Sequence, residues 1–140
     1  MATKPHRAKP RRPQSSGVRT VALIVAAYPN RAAATRSARS LVRAGTLACA
    51  TVDSAATAFY RWEGRFHEES SVVLWGRCAW RRRRGAVDAL RAIHPDRVPD
   101  ILAIQVDAAD PGYAAWVVGE GAAARQPAKV RGPVKSRARR

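Results

Sequence analysis

The 140-residue sequence predicts an α+β fold, a ferredoxin-like β-α-β-β-α-β sandwich closed by a short C-terminal helix. Three observations point to it. Short apolar runs alternate with segments whose apolar residues recur at helical spacing. Two extended stretches and a tight turn in mid-chain read as one long hairpin. Prolines and glycines fall where each element must stop.

The run RTVALIVAA, 19–27, reads as a strand buried on both faces. Tyr28-Pro29-Asn30 interrupts it, and Asn30 suits a helix start because its side chain accepts a bond from a free backbone N–H. In RAAATRSARSLVRA, 31–44, Ala34, Ala38, Leu41 and Val42 share one face, with Arg36, Arg39 and Arg43 mostly away from it. Gly45 suits the end of that helix, since it tolerates a left-handed backbone. Residues 46–64 hold two extended stretches around DSAA and end at a Glu63-Gly64 turn. The return strand RFHEESSVVLWGRCA places Val72, Leu74, Gly76 and Cys78 on one face and Val73, Trp75 and Arg77 on the other. A second helix over roughly 80–93 has Ala86, Val87, Leu90 and Ile93 as its buried stripe. HPDRVPD ends it, because a residue before proline disfavours the helical region. ILAIQV, 101–106, is the fourth strand of the pattern. DPGYAAWVV, 110–118, is the short last helix, with Asp110 at its N-cap and Pro111 in its first turn. Helices then cover one face of an antiparallel sheet. The other face and a hairpin carrying Tyr60, Trp62 and Trp75 need a cover, which oligomerisation through the open sheet faces would supply.

The formal net charge is +16. Residues 1–20 and 121–140 hold six and seven basic residues without an acid, while 21–120 holds 13 arginines against 10 acids. The chain therefore reads as a nearly balanced domain, 19–120, between disordered basic tails, 1–18 and 121–140, whose prolines and like charges oppose packing. Those prolines also oppose a transit helix, and no apolar run reaches the roughly 18 residues of a membrane span. Cys49 and Cys78 are too few and too far apart for a disulfide framework or a zinc knuckle, so a reducing cytoplasm is the default. No nucleophile and base stand at a fixed spacing, which points away from an enzyme.

Four stretches, LACATV (47–52), FYRWEG (59–64), HPDRVPDILAI (94–104) and DPGYAAW (110–116), are similar in order and spacing to the CutA divalent-cation tolerance family. The resemblance covers about 19–118 and leaves the tails outside. It implies a tight homotrimer whose long hairpins reach neighbouring subunits, in an architecture like that of PII signalling proteins. It also implies a response to copper and other divalent ions. The family's copper ligands are a cysteine at the end of the first strand and a His-His pair before a proline. Here those positions are Ala26, Ile93 and His94, so one imidazole remains, a weak site for copper or another divalent cation. Cys49 is a second candidate ligand. The sequence also departs from the family at Thr51, often Asn there, and at Asp96, often Tyr.

Each candidate also has a structural reading. His94 fits a helix end, where an imidazole can bond carbonyls and meet the helix dipole. Cys49 and Cys78 fit strand cores. His67, Glu68 and Glu69 fit a solvated turn, because adjacent strand residues alternate faces. By the resemblance, Trp62, Glu69, Arg77, Asp110 and Tyr113 would line a cleft between subunits, with Arg77 in place of the family's usual Lys. A cation, a carboxylate and aromatic walls suit a small anionic or zwitterionic ligand. Finally, Arg81, Arg82, Arg83 and Arg84 open the second helix against its dipole, either as a solvated face or as an anion site. With the tails they would hold polyanions or nucleic acid without reading sequence. Three functions follow: a divalent-cation tolerance trimer, a PII-like signalling module using the cleft, and a polyanion-binding scaffold.

Overall fold

Most of the predicted boundaries coincide with breaks that proline, glycine or asparagine imposes on the backbone. The computed structural model describes residues 20–53 and 55–123; the tail 1–18 and residues 124–140 lie outside them. The chain runs β1 (Val21–Tyr28), α1 (Arg31–Arg43), β2 (Cys49–Val52), β3 (Ala56–Trp62), β4 (Arg65–Ala79), a 3-10 turn (Trp80–Arg82), α2 (Arg83–Ile93), β5 (Ile101–Gln105) and α3 (Pro111–Ala123). The two extended stretches around DSAA are β2 and β3, and both pair with the long β4, which makes five strands of the expected four. The sheet order is β2-β4-β1-β5, every pairing is antiparallel, and β3 lies along the first half of β4. This is the ferredoxin-like arrangement.

Local chemistry sets the boundaries. Asn30 Oδ1 accepts the Ala33 N–H at 2.9 Å. At the other end of α1, Gly45 has φ 72° and its N–H reaches Val42 O, while the Thr46 N–H reaches Leu41 O. That pair of bonds is a Schellman closure, which a residue with a Cβ would strain. Glu63 and Gly64 both have positive φ, 49° and 77°, as a two-residue type I′ hairpin turn requires. His94 is already extended at φ −72°, ψ 139°, as its place before Pro95 demands. Asp110 Oδ2 accepts the Tyr113 N–H at 2.8 Å and caps α3.

The core lies between the sheet and α1 with α2. Ala22, Ile24, Ala26, Tyr28, Leu74 and Cys78 meet Ala34, Leu41, Ala86 and Leu90 there. Gly76 leaves room for Leu47, since a Cβ at Gly76 would come 3.0 Å from Leu47 Cδ1. The opposite face carries Leu23, Val25, Val73, Trp75 and Arg77, and α3 covers only its end, setting Ala114 and Val117 on Val21. Leu102 and Ile104, which pair with Val25 and Leu23, stay 56% and 48% exposed. Thus β1 is fully buried on one face and half-buried on the other.

Three expectations need correction. Val42 and Ile93 are exposed, because the buried stripe of α1 turns toward Ala33, Ala34, Ser37 and Leu41, and Ile93 is the last residue of its helix. The last helix runs to Ala123, so the folded part extends past residue 120 into the segment read as tail. His67, Glu68 and Glu69 lie in regular strand, and the His67 ring stacks on Tyr60 at 5.0 Å.

Candidate functional site

Of the proposed metal ligands, His94 sits where α2 meets β1. Its side chain is wholly buried. Nε2 lies 2.7 Å from Ala27 O, so that nitrogen donates; Nδ1 accepts the Asp96 N–H at 3.0 Å. Together the two bonds engage both ring nitrogens, Nε2 as donor and Nδ1 as acceptor, and so use the lone pair a metal would need. The ring also packs on Tyr28, centroids 4.3 Å apart. Its two companion positions hold no donor: Ala26 is buried in the core and Ile93 carries an alkyl chain.

Cys49 lies elsewhere. It pairs with Arg77, which pairs with Leu23, while His94 bonds Ala27 four residues further along β1. That offset is about 13 Å of strand. Within one chain, therefore, His94 and Cys49 do not converge on an ion. Among the described residues no group of three or more His, Cys, Asp and Glu side chains gathers to hold one. The described donors of the single chain do not fit a resident divalent cation. Cys78 is a core residue, and burial pushes its thiol up to about 11.

The cleft residues divide. Arg77, Tyr113 and Asp110 come together at the end of the open face, joined by Cys49 and Thr51. Arg77 Nε donates to Tyr113 Oη at 3.1 Å, Nη2 to Thr51 Oγ1 at 3.2 Å and Nη1 to Trp75 O at 2.7 Å. A guanidinium only donates, so Tyr113 Oη accepts from it and can pass its own proton toward Cys49 Sγ, 3.2 Å away. Burial, reinforced by the bond to Cys49, holds the Tyr113 phenol above its ordinary range despite the nearby guanidinium. Asp110 takes part through the backbone, by fixing the first turn of α3 from which Tyr113 projects. The result is a held positive charge with a phenol and a partly exposed thiol beside it.

Trp62 and Glu69 do not join this cluster within the chain. Glu69 is eight residues up β4 from Arg77, about 26 Å of strand, and Trp62 pairs with Arg65 at the hairpin tip. There Tyr60 donates to Glu69, and Phe59 and Phe66 stack at 6.5 Å while both remain exposed. Thr51 was legible only as a departure from the family pattern. Its signal is the alternation that puts it on the face of Cys49, and it is Cys49 that pairs with Arg77 across the strands.

The arginine run splits too. Arg82 Nη1 donates to Gly45 O at 2.9 Å and to Gly121 O at 2.7 Å. One guanidinium thus serves carbonyls at the C-terminal ends of both α1 and α3, where the dipoles are negative. Arg83 folds back, bonding Trp80 O at 3.1 Å with its guanidinium 3.9 Å over the Trp80 ring. The four-arginine anion site is therefore corrected: Arg82 and Arg83 are used internally, and Arg81 and Arg84 remain exposed.

Residues 22–120 match the family described as CutA1 divalent ion tolerance protein. The divalent-cation tolerance protein CutA of Salmonella newport is 26% identical over 104 residues, covering 74% of this chain and 90% of that protein. The crystal structure of CutA from Xylella fastidiosa superposes with a TM-score of 0.70 at 31% identity, covering 72% of this chain and 97% of that one. A structure from Archaeoglobus fulgidus, called a periplasmic divalent cation tolerance protein, shares the fold at 20% identity and a TM-score of 0.69, over 72% of this chain and 98% of that one.

Proposed function

The chain belongs to the CutA1 divalent ion tolerance family, and we propose that it acts in divalent-cation tolerance as a non-enzymatic homotrimer whose working site is the Arg77–Tyr113 cluster. The observation that carries this is the bonded set Arg77, Tyr113, Cys49 and Thr51 at the end of a half-covered sheet face. The exposed Leu102 and Ile104 on that face, with Phe59 and Phe66 on the hairpin, favour burial against further subunits. In such a trimer a neighbour's hairpin brings Trp62 and Glu69 toward Arg77 and completes the cleft.

No resident metal site is built from these donors, so a divalent cation meets the chain only weakly, at the partly exposed Cys49 thiol, since both His94 nitrogens are already bonded and a single thiol is a poor chelate. A second reading, a PII-like signalling module, draws on the same cluster: three of the five N–H donors of Arg77 serve the protein, and its charge suits a small anion. Two free thiols favour the cytoplasm. The basic tails favour added polyanion contact.

Light scattering should give a trimer mass. Thermal shift against phosphate, carboxylates and nucleotides should show stabilisation in the wild type and none in Arg77→Met. A monomer at micromolar concentration, or equal shifts in both proteins, would remove the cluster as the working site. Calorimetry with Cu²⁺ should show weak binding that Cys49→Ser abolishes; cell fractionation tests the compartment.

A further inference from the structure

We propose that the outer face of α1 and the turn entering α2 form a folded nucleic-acid-binding surface, with Arg36, Arg39, Arg43, Arg81 and Arg84 holding phosphates. This rests on the polyanion reading of the basic tails and adds to it a surface of fixed geometry. On α1, the 3-10 turn and α2 the chain places nine arginines and one acid, Asp88. A solvated helix face ordinarily mixes signs, because like charges on adjacent turns repel. Here the charge is kept almost unmixed, on the side of the sheet that the apolar open face leaves to solvent.

Arg36, Arg39 and Arg43 line one open groove with Ser40 and Ala44. Arg81 lines a second, with Thr46 and Gly85. The Arg82 bond to Gly45 O fastens the end of α1 to the start of α2, and Gly45 lies between Ala44 of the first groove and Thr46 of the second, so the two grooves adjoin along one strip. The same arginine bonds Gly121 O in the last turn of α3, so the described chain ends beside the strip, just before the acid-free residues 124–140. From Arg36 to Arg43 the helix rises about 10 Å. A duplex strand offers one phosphate per roughly 3.4 Å of axis, so three guanidinium groups match a short run of phosphates on one strand.

The exposed aromatic rings favour this partner over a lipid surface. Phe59, Tyr60, Trp62, Phe66, Tyr113 and Trp116 lie on the hairpin and α3, while Trp80 in the strip is packed on the core under Arg83, so the strip lacks the exposed rings an interfacial helix inserts into a bilayer. The same placement leaves no exposed ring in the strip to stack on bases. Contact is with the backbone, independent of sequence and steeply salt-dependent.

The test measures anisotropy of a fluorescein-labelled duplex of about 20 base pairs with the full chain between roughly 50 and 200 mM salt. Replacing Arg36, Arg39, Arg43, Arg81 and Arg84 by Gln should lower the log–log salt slope by roughly one for each phosphate no longer neutralised, about three or more in all. The same five positions as Lys should retain the slope, which separates charge from misfolding. An unchanged slope in the Gln protein, with binding abolished only when every basic residue of 1–18 and 121–140 is Gln in the full chain, would overturn the helix surface while sparing the tails. No duplex binding by the wild type would overturn both. Binding to phosphatidylserine vesicles but not to duplex at equal ionic strength would also overturn the proposal.

Discussion

Replacing His94 by Ala separates the structural account of this residue from the metal-ligand account, because the two predict opposite readouts. The side chain is wholly buried and makes two hydrogen bonds and one ring contact. Each bond is worth about 1 kcal/mol net, and the ring pair about 0.5–1.5 kcal/mol. Truncation also strips a partner from Ala27 O at the end of β1. A loss of about 3 kcal/mol is expected, with strain relief and water entry as the moderating effects. For a folded unit of this size that corresponds to a Tm lower by about 12–24 °C. Urea unfolding and thermal melts should be run at one protomer concentration, because oligomer stability depends on it. His94→Phe keeps the ring and loses both bonds, so it should recover part of the loss. Cu²⁺ and Zn²⁺ affinity should stay at the wild-type value in every His94 variant that folds. A stability change under about 1 kcal/mol, together with a tenfold loss of metal affinity, would refute the structural reading.

Three other outcomes are expected. Arg82→Met should cost about 2 kcal/mol in urea unfolding, since a charged donor leaves two helix-end carbonyls, while Arg84→Met should stay within about 0.5 kcal/mol; equal losses would show that Arg82 is no clip. The Cys78 thiol titrates at about 11 when folded against 9.0 unfolded, so the folded state binds the extra proton between those values and stability falls as pH rises through that window. Cys78→Ala should flatten this alkaline decline in pH-dependent melts, and an identical decline would remove Cys78 as its cause. Asp110→Ala should cost about 1 kcal/mol through the missing cap of α3 and loosen Tyr113, seen as faster amide exchange over 112–114; unchanged exchange there would count against the positioning role.

Much of the fold was legible because its signals are local. Asn30, Gly45, Glu63-Gly64, Pro95 and Asp110 each act on their own backbone or the next turn, so their effect is written within a few residues. Alternation along β4 likewise sorted Leu74 from Trp75 without reference to any partner strand. The failures came where a residue's fate depends on what lies across the fold. Val42 and Ile93 have the chemistry of core residues, yet the small Ala33, Ala34 and Ser37 let α1 roll its stripe away from Val42.

The sequence by itself determined the element order, the stops between elements, the two faces of β4 and the family to which these patterns belong. Only the tertiary structure decided which polar residues meet. It set His94 between two backbone groups, brought Tyr113 from α3 onto Arg77 and Cys49, and turned Arg82 into a tie between two helix ends. The reason is physical: element formation follows short-range backbone and periodicity rules, whereas a site is a convergence of side chains from distant segments, set by register and packing.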